Sequence, residues 1–307
     1  MIDKKDLEIM ISPDDGSKLV KKSTNTLTDL SNNHYNYKDG QYILLPKEKI
    51  YDKLEISLID HEYFRKYKFS KQLEPMFINN YKTNDIKELN ILPFIPPIID
   101  KQSHFALDHG CGGGKMRNMI EDLGYNYIGV DNETGVDTVV GGGINFSKGA
   151  THIADLHRLP FLDNTFNFSF SYSVFEHCQN PFLAAKELFR TMKPQGISFI
   201  AVANLIPFHM DSFFHCTHFG ILNLFKNVGF NVLQVAGANW NGYEAISSMG
   251  GLPGPKILRN SLSRMLSISN KMLWRIRSYV KKRVASSDEL IRHNMMAGIM
   301  KAVVQKP

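Results

Sequence analysis

The stretch that decides the fold is residues 105–114, FALDHGCGGG. Three apolar residues lead into a run with four glycines, which is the pattern of a short buried strand followed by a tight turn. Glycine lets the backbone turn sharply and leaves no Cβ in the way of a ligand. We expect a helix at 115–123, and the amides at its N-terminus would point toward the same place. The run therefore predicts a ligand-binding turn between a strand and a helix.

The residues that follow alternate regularly between strand and helix patterns. Apolar runs bounded by turn signals predict strands, and amphipathic stretches predict helices between them. Such alternation is typical of an α/β domain in which helices cover both faces of a parallel sheet. The predicted strands are 105–107, 127–130, 151–154, 166–172, 197–203, 231–235 and 298–305, and the predicted helices are 115–123, 182–192 and 220–228.

An acidic residue ends the second of these strands. Asp131 stands 21 residues after Gly110. In open α/β sheets the carboxyl ends of neighbouring strands meet at one edge, where ligands bind. A carboxylate at that place can accept the hydroxyl protons of a ribose. The glycine turn and Asp131 together predict a nucleoside-binding site.

Five segments, in this order, resemble the motifs of one enzyme family. They are 107–114 (LDHGCGGG), 128–131 (IGVD), 154–161 (ADLHRLPF), 173–177 (SVFEH) and 187–196 (ELFRTMKPQG). The family is the class I S-adenosylmethionine-dependent methyltransferases, of the methyltransferase type 11 kind. An ordered set of this length is hard to produce by chance, and the resemblance covers about residues 104–235 and the final strand.

The resemblance implies a Rossmann-like, seven-stranded sheet and S-adenosyl-L-methionine as the cofactor. The sequence departs from the family at Asn167, usually aspartate, and at Gln195, usually glycine, but neither position normally touches the cofactor. Residues 138–148 lengthen the loop after the second strand, which is either a plain loop or a lid near the ribose. The cofactor-binding residues that the resemblance implies are Asp108, Gly110, Cys111, Gly112, Gly114, Asp131, Asp155, Leu156 and Ser173.

Residues 1–46 are predicted to form a small β-rich module. Segments 12–19 and 37–45 resemble the zinc ribbons of the Trm112-like group, in which cysteine pairs bind the metal. Ser12 and Asp15 stand where the first pair would be, and the first cysteine of the chain is Cys111. Because a structural zinc site prefers thiolate and imidazole ligands, we expect a remnant without metal. A connector with helices at 47–100 and a methyltransferase domain at 101–307 complete the predicted organisation.

The candidate general base is a histidine. A sulfonium methyl group is already activated, so the enzyme mainly has to align donor and acceptor. A hydroxyl acceptor also benefits from a base that titrates near neutral pH. His177 follows the fourth strand at the ligand-binding edge, and its alternative role is helix capping or packing. His209, Asp211, His215 and His218 follow the fifth strand, and their spacing does not define a metal site.

The chain carries a basic segment before its last strand. Residues 241–307 hold twelve basic and three acidic side chains, so their +9 exceeds the +6 of the whole chain. Lys256–Arg283, within a helical insert at about 250–290, has apolar residues at helical spacing and no acidic residue. Such a helix either contacts an anionic membrane or phosphates, or packs its apolar stripe on the catalytic domain.

We therefore predict methyl transfer to a small-molecule or glycan acceptor, at oxygen. Segment 206–222 resembles part of methyltransferases encoded with surface-polysaccharide genes, which points to glycans. An RNA methyltransferase and a non-catalytic scaffold of the same fold are the alternatives, and nucleic acid is the less favoured partner. Three cysteines without pairing and the lack of an apolar N-terminal run predict a reduced, cytoplasmic protein, peripheral to the membrane if the basic segment binds it.

Overall fold

The computed structural model describes residues 4–48, 95, 98, 103–132, 149–206, 212–237, 243, 247, 254–282 and 296–307. The predicted connector at 47–100 falls almost wholly outside these residues. The loop at 138–148, His209 and Asp211 lie outside them as well.

The strands form a single mixed sheet. Its order is β1-β2-β3-β4-β7-β6-β5-β8-β9-β11-β10. The strands are β1 (Val20–Ser23), β2 (Thr26–Thr28), β3 (His34–Lys38), β4 (Gln41–Leu44), β5 (Phe105–His109), β6 (Asn126–Asp131), β7 (His152–Ala154), β8 (Phe166–Tyr172), β9 (Met192–Ala203), β10 (Asn231–Gly237) and β11 (Ile299–Gln305).

The last seven strands build the α/β sheet that the sequence predicts. Strands β7, β6, β5, β8 and β9 run parallel in that order. Strand β11 is antiparallel to both β9 and β10, which it separates. Parallel neighbours need crossover connections, and the amphipathic stretches between the strands supply them. The predicted α/β class is therefore confirmed.

Within the ranges that the structure describes, the sheet has eleven strands rather than the seven expected. The four additional strands come from the N-terminal segment, because β4 pairs in parallel with β7 and sets Tyr42 opposite His152. Strand β7 has only three residues, and its outer edge would otherwise expose unpaired backbone groups. The N-terminal β-rich segment therefore continues the α/β sheet.

Five helices lie in the described ranges, and two of them show how the sequence sets a helix start. They are α1 (Lys4–Ile9), α2 (Arg117–Asp122), α3 (Pro181–Thr191), α4 (His218–Asn227) and α5 (Lys256–Val280). Asn180 caps α3 by accepting a hydrogen bond from the Leu183 amide at 3.1 Å, and proline follows it at the first helical position. Thr217 caps α4 in the same way. No helix among the described residues is long and apolar enough to cross a membrane.

Candidate functional site

The glycine turn after β5 adopts a backbone that other residues rarely reach. Gly110, Gly112 and Gly114 have φ values of +74°, +51° and +69°. The amides of Gly110 and Cys111 both donate to the Val130 carbonyl at 3.0 Å, which holds the turn beside the end of β6. A Cβ built on Gly110 would lie 2.4 Å from Cγ2 of Val174. Both conformation and space therefore require glycine at position 110.

A residue that the sequence did not single out closes the turn. The Gly149 amide donates to the Gly112 carbonyl at 3.2 Å, and Arg117 donates to the Gly149 carbonyl at 3.3 Å. A Cβ on Gly149 would lie 2.1 Å from the carbonyl carbon of Gly113. This contact joins residues far apart in sequence, so only the folded chain reveals why residue 149 is glycine.

Asp131 lies at the end of β6 and contacts the turn directly. Its Oδ2 accepts the Gly112 amide at 2.6 Å, and its Oδ1 accepts the Asn132 amide at 2.8 Å. Burial raises the pKa of Asp131, while these two amides act in the opposite direction. Each carboxylate oxygen keeps capacity for a further donor. The geometry suits the acceptance of two ribose hydroxyls.

Asp108 and Cys111 lie inside the protein at this strand end. Asp108 is 2% exposed and accepts a hydrogen bond from the Tyr127 hydroxyl at 2.8 Å. Burial raises the pKa of Asp108 to about 7 and also raises the pKa of the Cys111 thiol. The Arg117 guanidinium lies over the Tyr127 ring, 4.5 Å from its centroid. Asp108, one of the predicted cofactor residues, is therefore held inside the protein by Tyr127.

Asp155 follows β7 and is held by a histidine that the sequence did not predict. His157 bonds to Oδ1 of Asp155 through its Nδ1, at 2.7 Å, and through its backbone amide, at 2.9 Å. The Asn180 amide donates to Nε2 of His157 at 3.2 Å, which assigns the ring proton to Nδ1 in neutral histidine. Leu156, between them, packs against the main core. His157 therefore fixes the side chain of Asp155.

The segment after β8 is tied to two neighbouring elements. Ser173 has a φ of +57°, which is uncommon for a residue with a side chain and recurs at functional sites. Glu176 is fully buried and accepts the Ala203 amide at 3.0 Å, and burial raises its pKa to about 7. The Glu176 carbonyl accepts the Phe213 amide at 2.7 Å. Glu176 thus joins the end of β9 to the segment before α4.

The predicted histidines are spread along this edge. His177 is partly exposed and ends the short 3₁₀ helix Phe175–His177. His215 is exposed and lies 3.0 Å from the Ser212 hydroxyl. His218 begins α4, and burial lowers its pKa. Within the ranges that the structure describes, no group of three or more His, Cys, Asp or Glu side chains could hold a metal ion.

The N-terminal segment holds a hydrogen-bond network at the predicted zinc-ribbon position. Ser12 is 1% exposed, and its Oγ donates to Asp29 at 2.8 Å and accepts the Asp15 amide at 3.1 Å. The Tyr35 hydroxyl lies 2.9 Å from Ser12 and donates to Asp14 at 2.6 Å. These polar contacts hold the turn together. The relation to the Trm112-like group stays a prediction.

The predicted cofactor residues follow four adjacent parallel strands at one edge of the sheet. They come after β5 (Gly110–Gly114), at the end of β6 (Asp131), after β7 (Asp155, Leu156) and after β8 (Ser173). This is the edge at which ligands bind in open α/β sheets. The fold and the position of these residues are those of an open α/β domain with a ligand-binding edge.

Comparison with known proteins relates part of the chain to methyltransferases. Residues 107–200, less than half of the chain, match the family described as "Methyltransferase domain". Two uncharacterized methyltransferases of Mycobacterium leprae, from strains Br4923 and TN, are each 30% identical over 102 residues, which is 33% of this chain. The match spans 36% of the length of these curated relatives.

Solved structures of similar shape include three from different sources. A Haemonchus contortus phosphoethanolamine N-methyltransferase 2 with S-adenosyl-L-methionine is 16% identical, with a TM-score of 0.43 over 75% of this chain and 54% of that one. A SAM-dependent methyltransferase from Archaeoglobus fulgidus is 16% identical, with a TM-score of 0.41 over 80% of this chain and 100% of that one. The [4+2]-cyclase SpnF is 18% identical, with a TM-score of 0.43 over 76% of this chain and 89% of that one.

Proposed function

We propose that this chain transfers the methyl group of S-adenosyl-L-methionine to a small-molecule or glycan acceptor, at oxygen. One observation carries the proposal: the Asp131 carboxylate accepts the Gly112 amide at 2.6 Å, inside a turn whose glycines adopt positive φ. That arrangement places a carboxylate beside a stretch of glycine backbone that a ligand can approach without meeting side chains. The methyltransferase domain match over residues 107–200 supports it.

The residues at this edge fit S-adenosylmethionine chemically. Asp131 would accept the ribose hydroxyls, and the backbone at Gly110–Gly114 would border the ligand without side chains in the way. Asp155 would accept a hydrogen bond from the adenine amino group, as the family resemblance implies, and His157 would keep its carboxylate in place. When bound, the cofactor supplies an activated methyl group on a sulfonium sulfur. The protein's contribution is alignment of the acceptor with that group.

His177 is the general base that we propose for a hydroxyl acceptor. It lies after β8, three residues beyond buried Val174 and next to Glu176, whose carboxylate accepts a hydrogen bond from the end of β9. A base here would take the hydroxyl proton as the oxygen attacks. His177→Gln should lower kcat at least roughly tenfold and remove a step from its pH profile, while cofactor affinity stays unchanged. An unaltered pH profile would assign His177 to packing instead.

The charge of the catalytic region favours a small or glycan acceptor over RNA. Residues 101–240 hold nine basic and eleven acidic side chains, a net charge of −2. A site that binds a polyanion normally carries a positive field. If the acceptor is lipid-linked, the enzyme works at a membrane surface, and the exposed apolar face of α5 supports peripheral membrane contact.

Transfer of labelled methyl from S-adenosylmethionine tests the acceptor class. The purified chain is incubated with separate fractions of soluble small molecules, lipid-linked glycans and total RNA. Label in a small-molecule or glycan fraction, in a product whose fragmentation in mass spectrometry places the methyl group on oxygen, would support an oxygen acceptor. Label in RNA alone would replace this proposal with the RNA methyltransferase, and cofactor binding without label in any fraction would favour the non-catalytic scaffold.

A further inference from the structure

Helix α5 buries its polar side. Ser263 and Ser278 are 1% and 2% exposed. Ser267, Asn270 and Trp274 lie between them at helical spacing and are partly buried. Residues three or four apart share one face of a helix, so these five side chains form the face of α5 that is shielded from solvent. A surface helix of a globular protein normally buries its apolar stripe, and α5 does the opposite.

The apolar residues of α5 occupy the opposite face and are exposed to solvent. Met265, Leu273 and Val280 are 65%, 64% and 72% exposed. The same face carries Leu258, Leu262 and Ile276, which are 60%, 40% and 56% exposed. Single exposed apolar side chains are ordinary, but a contiguous row of them over a 25-residue helix marks an interaction surface. We call this row the outer face of α5.

Cationic side chains border the outer face on both sides. Arg264 and Arg275 are eleven positions apart and line one edge, and Arg259 and Arg277 are eighteen apart and line the other. Arg264, Arg275 and Arg277 are exposed. Residues 256–283 hold nine Lys or Arg and no Asp or Glu. The surface is therefore an apolar row between two rows of positive charge.

We propose that α5 is an interfacial helix that docks this chain on an anionic lipid bilayer. The outer face would lie in the boundary between headgroups and acyl chains, while the flanking arginines meet lipid phosphates. The positive charge of the two arginine rows matches the negative charge of an anionic bilayer. A second copy of the chain would bring cationic edges against each other, and a nucleic acid would use the arginines but leave the apolar row in water. The proposal goes beyond methyl transfer and holds for any acceptor.

Co-sedimentation of the full chain with vesicles tests the proposal. We expect binding to phosphatidylcholine mixed with phosphatidylglycerol, little binding to phosphatidylcholine alone, and a decline as salt rises, because salt screens the charges. Met265→Ser with Leu273→Ser should lower partitioning at least roughly tenfold, since two apolar side chains no longer leave water. Val20→Ser with Leu30→Ser is the matched control, because these residues are 55% and 85% exposed outside α5.

The charge contribution is measured separately. Each basic residue near an anionic bilayer raises partitioning about fivefold, so Arg264→Gln with Arg277→Gln should lower it about thirtyfold and flatten the salt dependence. Lys21→Gln with Lys38→Gln is the control, since both lysines are exposed on the N-terminal strands. S-adenosylmethionine affinity of the same variants, measured without vesicles, should stay unchanged. This readout keeps the docking proposal separate from the proposed methyl transfer.

Three outcomes would overturn the docking proposal. The first is equal, negligible partitioning to anionic and neutral vesicles. The second is a dimer in light scattering that Met265→Ser with Leu273→Ser dissociates, because a second copy would then cover the outer face. The third is RNA binding in a gel shift at a protein concentration at which the chain does not co-sediment with anionic vesicles.

Discussion

Replacement of Gly110 by alanine tests the structure of the glycine turn. Its φ of +74° is a left-handed conformation that costs an alanine about 1–2 kcal/mol. The new Cβ would also lie 2.4 Å from Cγ2 of Val174, and such overpacking costs about 1–3 kcal/mol. Gly110→Ala should therefore lower the free energy of unfolding by about 2–5 kcal/mol. Urea unfolding followed by circular dichroism measures this difference.

Two further variants separate the conformational and steric contributions. Gly113 is the matched control, because a Cβ there meets no atom within 4 Å and its φ is not left-handed. Gly113→Ala should leave stability within about 0.5 kcal/mol of the parent. The double variant Gly110→Ala with Val174→Ala should be about 1–3 kcal/mol more stable than the sum of the two single effects predicts. The smaller side chain at position 174 removes the overlap with the new Cβ, while the cost of the left-handed backbone conformation remains. Equal losses of stability in Gly110→Ala and Gly113→Ala would show that position 110 has no special need for glycine. Strictly additive effects of Gly110→Ala and Val174→Ala would show that the new Cβ does not overlap Val174.

Three other predictions concern the buried polar groups. His157→Asn should weaken cofactor binding measured by calorimetry and cost about 1–3 kcal/mol of stability, since Asp155 loses the hydrogen bond from the imidazole and keeps the one from the backbone amide of residue 157; unchanged affinity would remove His157 from the site. Burial raises the pKa of Asp108 to about 7 in the folded state, from about 4 in the unfolded state. Between these pH values the folded protein binds the proton more tightly, so the free energy of unfolding should fall by up to about 1.4 kcal/mol per pH unit from about pH 4 to about pH 7. Asp108→Asn should flatten that decline in urea titrations at stepped pH, and an equal slope in both proteins would contradict the assignment. Ser12→Ala should lower the free energy of unfolding by about 1–3 kcal/mol, because it leaves buried hydrogen-bond partners unsatisfied. Urea unfolding of the variant and of the unchanged sequence measures this difference, and a negligible difference would contradict the prediction.

The seven strands of the α/β sheet could be predicted from sequence because they are short apolar runs between clear helices. Strand β8, Phe166–Tyr172, has the bounds expected from its alternating aromatic residues. The glycine turn and Asp131 were predictable too, because both depend on residues close in sequence. Their hydrogen bond at 2.6 Å joins positions 112 and 131 across neighbouring strands.

The features that could not be predicted from the sequence depend on contacts between residues far apart in the chain. The pairing of β4 with β7 brings Tyr42 opposite His152, and nothing in either segment specifies that edge. Gly149 is required only because its backbone crosses Gly113. Helical periodicity predicted an amphipathic α5 but could not tell which face turns inward, since that choice depends on the surface beneath it.

Calorimetry with S-adenosylmethionine tests whether the glycine turn and Asp131 form a cofactor site. We expect a micromolar Kd for S-adenosylmethionine or S-adenosylhomocysteine with the unchanged chain. Asp131→Ala should weaken it at least roughly tenfold through the loss of hydrogen bonds to the ribose. The control Asp122→Ala, at the end of α2 and exposed, should bind as the parent does. No heat of binding for either nucleoside with the folded parent protein, or equal affinity in the Asp131 variant, would contradict the account.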